Sequence, residues 1–202
     1  MTSADRRTTD DHGHDLIDPL YVAIVTVSSS RRRAASEGAT EIDDPGGDTI
    51  QACFEADGHE IHERALVRDD FAAIRGAVRD LVGDPGIDVV VTTGGTGVTA
   101  DDVSPEATAS LFERELPGFG ELFRMLSWEE VGTRAMASRA TAGIAADTPV
   151  FCLPGSKNAC RTACERLIVP EAPHLAGLAT AHRVDVDEPT LSAYEGSEGR
   201  TG

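Results

Sequence analysis

Residues 87–106 read IDVVVTTGGTGVTADDVSPE, in which an apolar strand leads into a glycine-rich turn, two adjacent carboxylates and the start of a helix. The glycines of the turn carry no Cβ, so their backbone N–H groups can face an anion without steric obstruction. Asp101 and Asp102 follow within a few residues and offer the hard oxygen ligands that Mg²⁺ prefers. A glycine run of this kind is also typical of a plain strand-to-helix turn. The carboxylates directly behind the turn favour a site for phosphate and metal.

Composition limits the kinds of partner that the chain can bind. The 202 residues suit one α/β domain with some sequence left for tails. A net charge of −17, from 35 acidic and 18 basic residues, repels polyanions, which argues against nucleic acid and anionic membranes as partners. Lys157 is the only lysine, and acidic residues are spread along the whole chain. We interpret this pattern as halophilic, because salt screens the repulsion between dense carboxylates.

The cysteines and histidines do not form a recognisable metal motif. The four cysteines are Cys53, Cys152, Cys160 and Cys164. Their spacing fits neither a zinc site nor a redox pair, so we expect buried free thiols, with Cys160 and Cys164 on one helix face. His12 and His14 lie in an acidic leader that is typical of a solvated tail. Because no apolar stretch approaches 18 residues and the N-terminus lacks a signal-peptide pattern, the sequence predicts a soluble, cytoplasmic protein.

Hydropathy patterns divide the chain into a leader, one domain and a tail. We expect disorder in residues 1–18 and in the acidic tail 184–202, and a folded domain over 19–183. The predicted strands cover residues 20–27, 59–67, 87–93 and 149–153, and the stretch 140–146 before the last of them is left without an assigned type. The predicted helices cover residues 48–57, a segment capped by Asp69 or Asp70, a segment with Ser104 as cap and Pro105 first, residues 119–131 and a final helix at 158–169. A proline-marked segment and a closing stretch at residues 173–182 follow the final helix. The alternation predicts an α/β fold with a mostly parallel sheet and helices on both faces.

The predicted helix 119–131 is more apolar than the other helices and contains the only tryptophan, Trp128. Its hydrophobic face is expected to pack partly into the core and partly against another subunit. The stretch between Ser28 and Gly47 is rich in serine, arginine and glycine and is interpreted as a loop.

A second strand-to-helix turn is predicted at residues 153–158, LPGSKN. It places Gly155, Ser156 and the single lysine, Lys157, at the start of a helix, where backbone donors and the helix dipole favour an anion. In a parallel sheet, the turns after residues 93 and 153 are expected at the same edge, where ligands of such sheets bind.

Named nucleotide motifs fit these turns poorly. Neither turn has the glycine-lysine-serine/threonine ending of a P-loop. Residues 95–100, GTGVTA, formally match the dinucleotide pattern G-x-G-x-x-G/A. However, the turn follows the third predicted strand, and no acidic strand end follows about 20 residues later. A nucleotide-dependent oxidoreductase is therefore a remote alternative.

An ordered set of segments resembles the MoaB/Mog family of molybdenum cofactor biosynthesis. The segments are residues 93–97 (TGGTG), Asp102, residues 105–107 (PEA), 118–120 (GFG), 123–127 (FRMLS), 138–140 (SRA) and 153–156 (LPGS). The resemblance runs from about residue 21 to residue 174, and the FRMLS block is closer to MoaB than to other members.

The resemblance implies a three-layer α/β/α fold and homotrimers or hexamers, with contacts to other molybdenum cofactor enzymes. It also implies binding of molybdopterin, a pterin dithiolene with a terminal phosphate. In active members of this family, AMP is transferred from MgATP to that phosphate and pyrophosphate is released. The implied substrates are therefore ATP and molybdopterin, and the implied cofactor is Mg²⁺.

Roles follow from the resemblance for particular residues. The implied nucleotide-binding residues are Thr93, Gly94, Gly95, Thr96 and Gly97. The implied molybdopterin-binding residues are Ser28, Pro154, Gly155, Ser156 and Lys157. Asp102 and Asp44 are the implied catalytic residues and metal ligands, with Asp101 as a further metal ligand.

Two departures from the family pattern bear on activity. Gly46 replaces the family's serine in the turn that begins with Asp44, and Ala52 replaces an aspartate often found just beyond it. Three interpretations therefore stay open: a molybdopterin adenylyltransferase, a molybdopterin-binding protein without catalysis, and the oxidoreductase.

The halophile interpretation predicts that the melting temperature rises between low and multimolar salt, because screening relieves carboxylate repulsion in the folded state. Thermal unfolding followed by circular dichroism in both buffers measures this change. An unchanged melting temperature would contradict the interpretation.

Overall fold

The computed structural model describes residues 3–9, 13 and 15–181. Its strands are β1 (Arg7–Thr9), β2 (Asp15–Ile17), β3 (Tyr21–Val27), β4 (Glu60–Val67), β5 (Val89–Thr93), β6 (Arg114–Glu115), β7 (Thr141–Ala145) and β8 (Thr148–Leu153). Its α-helices are α1 (Ser29–Ser36), α2 (Pro45–Ala56), α3 (Phe71–Val82), α4 (Ser104–Ala109), α5 (Pro117–Val131), α6 (Lys157–Ala163) and α7 (Val169–Thr180). Short 3₁₀ segments cover Ser3–Arg6 and Gly132–Ala137, and a π-helical turn covers Cys164–Ile168.

The central sheet has six strands in the order β4-β3-β5-β8-β7-β6. Strands β4, β3, β5 and β8 are parallel, whereas β7 and β6 are antiparallel to their neighbours. The chain goes from β3 to one side of the sheet and then returns to place β5 on the other side, which makes a switch point between these two strands. The loops that follow β3, β4, β5 and β8 share one side of the sheet, which we call the carboxyl edge.

Alternate residues of the buried strands face two separate helical layers. Val22 and Ile24 of β3 pack in the cluster formed with α2, α5, α6 and α7. Ala23 and Val25 pack in the cluster formed with α3 and α4. This period-two division places helices on both faces of the sheet and confirms the three-layer, mostly parallel α/β/α fold.

The prediction of a disordered leader over residues 1–18 is wrong for the part that the structure describes. Residues 7–9 and 15–17 form an antiparallel pair, β1 and β2. The buried Arg6 donates to both carboxylate oxygens of Asp88, at 2.6 and 3.2 Å, and its guanidinium lies 3.7 Å from the centre of the Tyr21 ring. A buried ion pair between residues so far apart in sequence anchors a polar segment that looks like a tail by composition.

Some predicted features lie outside the described residues. They are His12, His14, the end of the domain at residues 182–183 and the acidic tail 184–202.

Two helix starts differ from the sequence predictions. The interpreted loop of residues 28–47 contains α1, which Ser28 caps by accepting a hydrogen bond from the Arg31 backbone N–H at 3.4 Å. Helix α2 begins at Pro45 instead of residue 48, because Asp44 caps it and accepts from the Gly47 N–H at 3.2 Å.

Helix α4 also starts differently from the prediction. Ser104 is the first helical residue rather than the cap, and its side chain makes no capping hydrogen bond. The buried hydroxyl lies against the turn of residues 94–97, where a Cβ at Gly95 would come within 2.4 Å of it. In contrast, Asp70 caps α3 as predicted and accepts from the Ala73 N–H at 2.9 Å.

The last helical segments run on from α6 through the π-helical turn into α7, without the break expected between residues 169 and 173. Proline at position 170 supplies no N–H, and the neighbouring Val169 N–H bonds five residues back to the Cys164 carbonyl. The wider turn thus accommodates a residue that would otherwise interrupt an α-helix.

All four cysteines are free thiols, as predicted, and three of them are buried. Burial raises the pKa of both Cys152 and Cys160 to about 11, so these thiols stay protonated at neutral pH. Within the described part of the chain, no helix is both long and apolar enough to cross a membrane.

Candidate functional site

The glycine turn of residues 94–97 lies at the carboxyl edge, and its backbone is forced close to the end of β3. Gly94 has φ +102°, and a Cβ on it would come within 2.3 Å of the Val27 carbonyl oxygen. Its N–H donates to the Leu153 carbonyl at 3.0 Å, so the turn is tied to β8 as well. Only glycine fits position 94, because the backbone there has a positive φ and lies directly against the Val27 carbonyl.

The second turn, residues 154–156, packs directly on the glycine turn. The Thr93 hydroxyl donates to the Pro154 carbonyl at 3.1 Å and lies 3.2 Å from the Cys160 sulfur. A Cβ on Gly155 would lie 3.3 Å from the Cα of Gly94. The structure therefore brings together the two turns that the sequence placed at one sheet edge.

A cavity of about 460 Å³ opens between these two turns and α5. We call it the glycine-turn cavity. Its polar and glycine lining comprises Gly94, Gly95, Thr96, Gly97, Asp102, Ser127, Glu130, Arg134, Ser138, Gly155, Ser156, Asn158 and Thr162, and its apolar lining includes Phe123, Val131 and Pro154. Thr93 is buried beneath it and holds the turns together rather than lining it.

Asp102 lies at the cavity with its carboxylate held in place. The Thr99 N–H and hydroxyl both donate to its Oδ2, at 2.9 and 2.6 Å. The Thr99 hydroxyl is the largest cause of a pKa below the usual aspartate value, helped by the backbone N–H groups of Thr99 and Gly97 and by the charge of Arg139. Asp102 is therefore a carboxylate at neutral pH, the form that binds a metal.

Arg139, the middle residue of the SRA motif, is a positioning residue. Its Nε donates to the Gly97 carbonyl at 2.8 Å, and its terminal nitrogens donate to the Asp102 carbonyl and the Glu106 carboxylate. These three bonds clamp the glycine turn to the segment that leads into α4. Ser104 adds a further tie by donating its N–H to the Gly95 carbonyl at 3.0 Å.

Arg134 and Ser138 are cavity residues to which the sequence assigned no role. The guanidinium of Arg134 has no hydrogen bond or ion pair with any residue that the structure describes, although it lines the cavity. The Ser138 hydroxyl is also without a partner there, and it is buried. The SRA motif marked Ser138, whereas no sequence pattern distinguished Arg134 from the other arginines.

The structure does not bring Asp44 into the glycine-turn cavity. Its buried carboxylate accepts from the Thr26 hydroxyl at 2.6 Å, from the Arg64 guanidinium at 2.8 Å and from the Gly47 N–H at 3.2 Å. These partners satisfy it as a helix cap and neutralise its charge. Asp101 is exposed and also lies outside the cavity lining.

Two of the implied molybdopterin-binding residues lie elsewhere. Ser28 caps α1 at the end of β3 and is not part of the cavity lining. Lys157 is exposed and lines a separate depression of about 490 Å³ between α2 and α6, which we call the α2–α6 groove. Ala52 lines the same groove, so a carboxylate at position 52 would face that groove rather than the cavity.

The glycine at position 46 fits a tight contact between α2 and the second turn. A Cβ there would lie 3.2 Å from both the Gly155 carbonyl oxygen and the Thr93 hydroxyl oxygen. A serine at this position would require its neighbours to shift by a few tenths of an ångström. Glycine in place of the family's serine at position 46 therefore allows α2 to pack closely against the second turn, beside the cavity.

The dinucleotide pattern is a formal match only. Residues 98–103 separate the glycine turn from α4, and α4 has only six residues, so the turn does not open directly into a long helix. This geometry argues against the oxidoreductase alternative.

Comparison with known proteins shows the family of the chain. Residues 23–174 match the family described as "Probable molybdopterin binding domain". The chain belongs to this MoaB/Mog family of molybdenum cofactor biosynthesis proteins. Molybdenum cofactor biosynthesis protein B of Escherichia coli strain K12 is 44% identical over 153 residues, which are 76% of this chain and 85% of the relative.

Solved structures show the same fold. A crystal structure of molybdenum cofactor biosynthesis protein B is 38% identical with a TM-score of 0.75, covering 82% of this chain and 98% of that one. The tungsten cofactor synthesizing protein MoaB from Pyrococcus furiosus is 37% identical with a TM-score of 0.69, covering 80% of this chain and 98% of that one. The family resemblance and the fold expected from it are thus confirmed.

We expect Gly94→Ala to destabilise the protein by at least about 2 kcal/mol, because the new Cβ meets the Val27 carbonyl in a backbone conformation that alanine rarely adopts. Urea unfolding followed by circular dichroism measures the loss. Gly76→Ala in α3 is the matched control: nothing lies within 4 Å of its Cβ, so it should be neutral or stabilising. Equal stability of the two variants would show that the close approach at Gly94 is not needed.

Proposed function

We propose that this protein is a molybdopterin adenylyltransferase that transfers AMP from MgATP to the terminal phosphate of molybdopterin. The observation that carries this proposal is the glycine-turn cavity, which joins a glycine-rich anion cradle, the charged Asp102 and the turn of residues 154–156. Its volume lies in the range of about 300–1,000 Å³ typical of small-molecule sites. Membership of a molybdopterin-binding family supports the identity of one substrate.

In the proposed reaction, an oxygen of the molybdopterin phosphate attacks the α-phosphorus of ATP. A new P–O bond forms, the bond from the α-phosphorus to the oxygen that bridges to the β-phosphate breaks, and its electron pair leaves with pyrophosphate. Such transfers require little covalent help from a protein, since positioning and charge neutralisation supply most of the rate. We assign the N–H groups of residues 94–97 to the nucleotide phosphates, and Gly155 and Ser156 to the molybdopterin phosphate. The unpaired Arg134 would neutralise charge as it develops.

The residues at the cavity fit Mg²⁺. Asp102 supplies a charged, hard oxygen ligand, and the described residues contain no cluster of three or more metal-ligating side chains. One carboxylate supplemented by substrate phosphates is a common way for proteins to hold Mg²⁺. When bound, the ion would neutralise phosphate charge and align the reacting groups. We therefore propose Asp102 as the metal ligand, because Asp44 and Asp101, which the resemblance also implied, lie outside the cavity lining.

Ala52 replaces an aspartate of the family, but position 52 faces the α2–α6 groove and not the cavity. The cavity therefore loses no carboxylate through this replacement, which supports catalysis. The position of Asp44 supports the alternative, a molybdopterin-binding protein without catalysis. Its carboxylate is already neutralised by Arg64, which leaves the cavity with fewer acidic groups for a metal. An assay of transfer separates the two functions.

We expect wild-type protein to release pyrophosphate from MgATP only when molybdopterin is present, and Asp102→Asn to lower this rate at least about 100-fold. A coupled pyrophosphate assay measures the rate. The control is Asp101→Asn, which removes a neighbouring but exposed carboxylate and should leave the rate within a few-fold of wild type.

Two further measurements make the result interpretable. Circular dichroism melting shows whether Asp102→Asn is folded, and fluorescence titration shows whether it still binds molybdopterin. Tight molybdopterin binding by the wild type without pyrophosphate release would leave only the binding function. Full activity of a folded Asp102→Asn would contradict the role of Asp102.

We also propose that the protein is a homo-oligomer, a trimer or hexamer, with α5 at the subunit contact. Helix α5 exposes Leu122, Met125 and Trp128, with 50%, 66% and 59% of their surfaces accessible. They are spaced three residues apart, so they lie close together on one side of the helix, while Phe119 and Phe123 pack into the core. An apolar stripe of this kind marks an interaction surface.

Trp128→Glu should dissociate the oligomer, because it places a charge in an apolar contact. Sedimentation velocity measures the mass of the wild type and the variant. Phe71→Glu, a partly exposed apolar position on α3, is the control and should keep the wild-type mass. A monomeric wild type would contradict this assembly.

A further inference from the structure

A further polar cleft lies apart from the glycine-turn cavity, and the two share no lining residue. It has a volume of about 570 Å³ and lies between α1, the end of β4 and α3. Its lining residues are Ser29, Arg32, Arg33, Ser36, Val67, Arg68 and Ala73. We call it the arginine cleft.

The charge of the arginine cleft contrasts with that of the chain. Three of the 18 basic residues line this one cleft in a protein with a net charge of −17. The guanidinium groups of Arg32 and Arg33 make no hydrogen bond or ion pair within the described part of the chain, and Arg68 has one contact, 3.6 Å from Asp70. Adjacent cations without partners repel one another, so their grouping indicates an anionic ligand.

The carboxylates nearest to the cleft are engaged with other groups. Asp69 accepts a hydrogen bond from the Ser29 N–H at 2.7 Å, and Asp70 accepts one from the Ala73 N–H at 2.9 Å as the cap of α3. Neither carboxylate lies within ion-pair distance of Arg32 or Arg33. The cleft therefore keeps two uncompensated positive charges.

A thin bridge separates the arginine cleft from the glycine turn. Ser29 lines the cleft, and its hydroxyl also accepts from the Asp69 N–H at 3.0 Å. On its other side, Asp69 faces the turn, where a Cβ on Gly95 would lie 3.1 Å from its Oδ1. The cleft and the glycine-turn cavity thus flank the same turn, which lies at the switch point between β3 and β5.

We propose that Arg32, Arg33 and Arg68 bind the diphosphate end of ATP, the β- and γ-phosphates that leave as pyrophosphate. This inference rests on the proposed adenylyl transfer. The α-phosphate would lie over the glycine turn, facing molybdopterin on the cavity side, and the leaving group would extend over the Ser29–Asp69 bridge into the cleft. Guanidinium groups suit this ligand because their planar donors bind phosphate oxygens in pairs.

Arginines at the leaving group would also stabilise the transition state. As the bond between the α-phosphorus and the bridging oxygen breaks, negative charge accumulates on the departing pyrophosphate. Arginines that contact this group stabilise that charge in the transition state and not only in the bound substrate. An acidic protein gains further from local positive charge, since its overall field disfavours ATP.

Isothermal titration calorimetry with pyrophosphate, MgATP and AMP tests the subsite in a way that does not depend on catalysis. In the double variant Arg32→Gln/Arg33→Gln, we expect at least about a tenfold rise in Kd for pyrophosphate and MgATP, and less than a twofold change for AMP, which lacks both leaving phosphates. The matched control is Arg79→Gln/Arg166→Gln, which removes the same charge at exposed positions outside the cleft. It should bind all three ligands like the wild type at the same ionic strength.

The outcomes distinguish this inference from the proposed function. Suppose that the cleft variant loses pyrophosphate binding while the wild-type protein shows no transfer. That result would support the anion site and overturn the transferase. Normal pyrophosphate binding by the folded cleft variant, an equal loss of AMP binding, or an equal loss in the control would overturn the subsite, whatever the transfer assay shows. Circular dichroism melting of each variant establishes that it is folded.

Discussion

The contact between Gly94 and the carbonyl of Val27 joins the ends of β3 and β5, and the architecture of the site depends on it. This contact lies at the switch point of the sheet, where the chain has gone to one side for β4 and returned for β5. The second turn then packs on Gly94 from the β8 side. The ends of β3, β5 and β8 therefore all contact Gly94. Because Gly94 has no side chain, its backbone can approach a ligand directly.

Charge is distributed unevenly around this contact. The protein is strongly acidic, yet Arg134 faces the glycine-turn cavity and Arg32, Arg33 and Arg68 line the cleft on the other side of the turn. Arg139 has a different role, because Glu106 and backbone carbonyls occupy its guanidinium. Hydrogen bonds from Thr99 hold the Asp102 carboxylate in place and lower its pKa below the usual aspartate value. The site thus combines arginines that lack partners among the described residues with one carboxylate held in place, a distribution that suits the triphosphate substrate we propose.

The sequence predicted the features that depend on local pattern. The buried strands, the Asp70 cap and the two turns at one edge follow from periodicity and turn chemistry, and the structure confirms them. Features that depend on distant partners were missed. Arg6 is held by Asp88, 82 residues away, so composition alone made its segment look like a tail. The resemblance implied a metal-binding Asp44, whereas the structure pairs its carboxylate with Arg64, 20 residues further along the chain on β4.

The positions of the arginines and the lysine also depend on packing between segments that are distant in sequence. Lys157 attracted attention because it is the only lysine, yet it lies in the α2–α6 groove. Arg134 resembles the other arginines in sequence, and only the packing of the segment after α5 against the two turns places it at the cavity. Rarity of a residue type is a weaker guide to function than position relative to the strand ends.

The proposed transfer depends on binding of substrate phosphate by the glycine turn. Nuclear magnetic resonance measures it most directly, by following the backbone amide shifts of Gly94, Gly95, Gly97 and Gly155 as molybdopterin and MgATP are added. We predict that these four amides shift together, while that of Gly58, which precedes β4 at the opposite edge of the sheet, stays in place. Shifts confined to the α2–α6 groove around Lys157, with the amides of the turn unchanged, would contradict phosphate binding by the glycine turn.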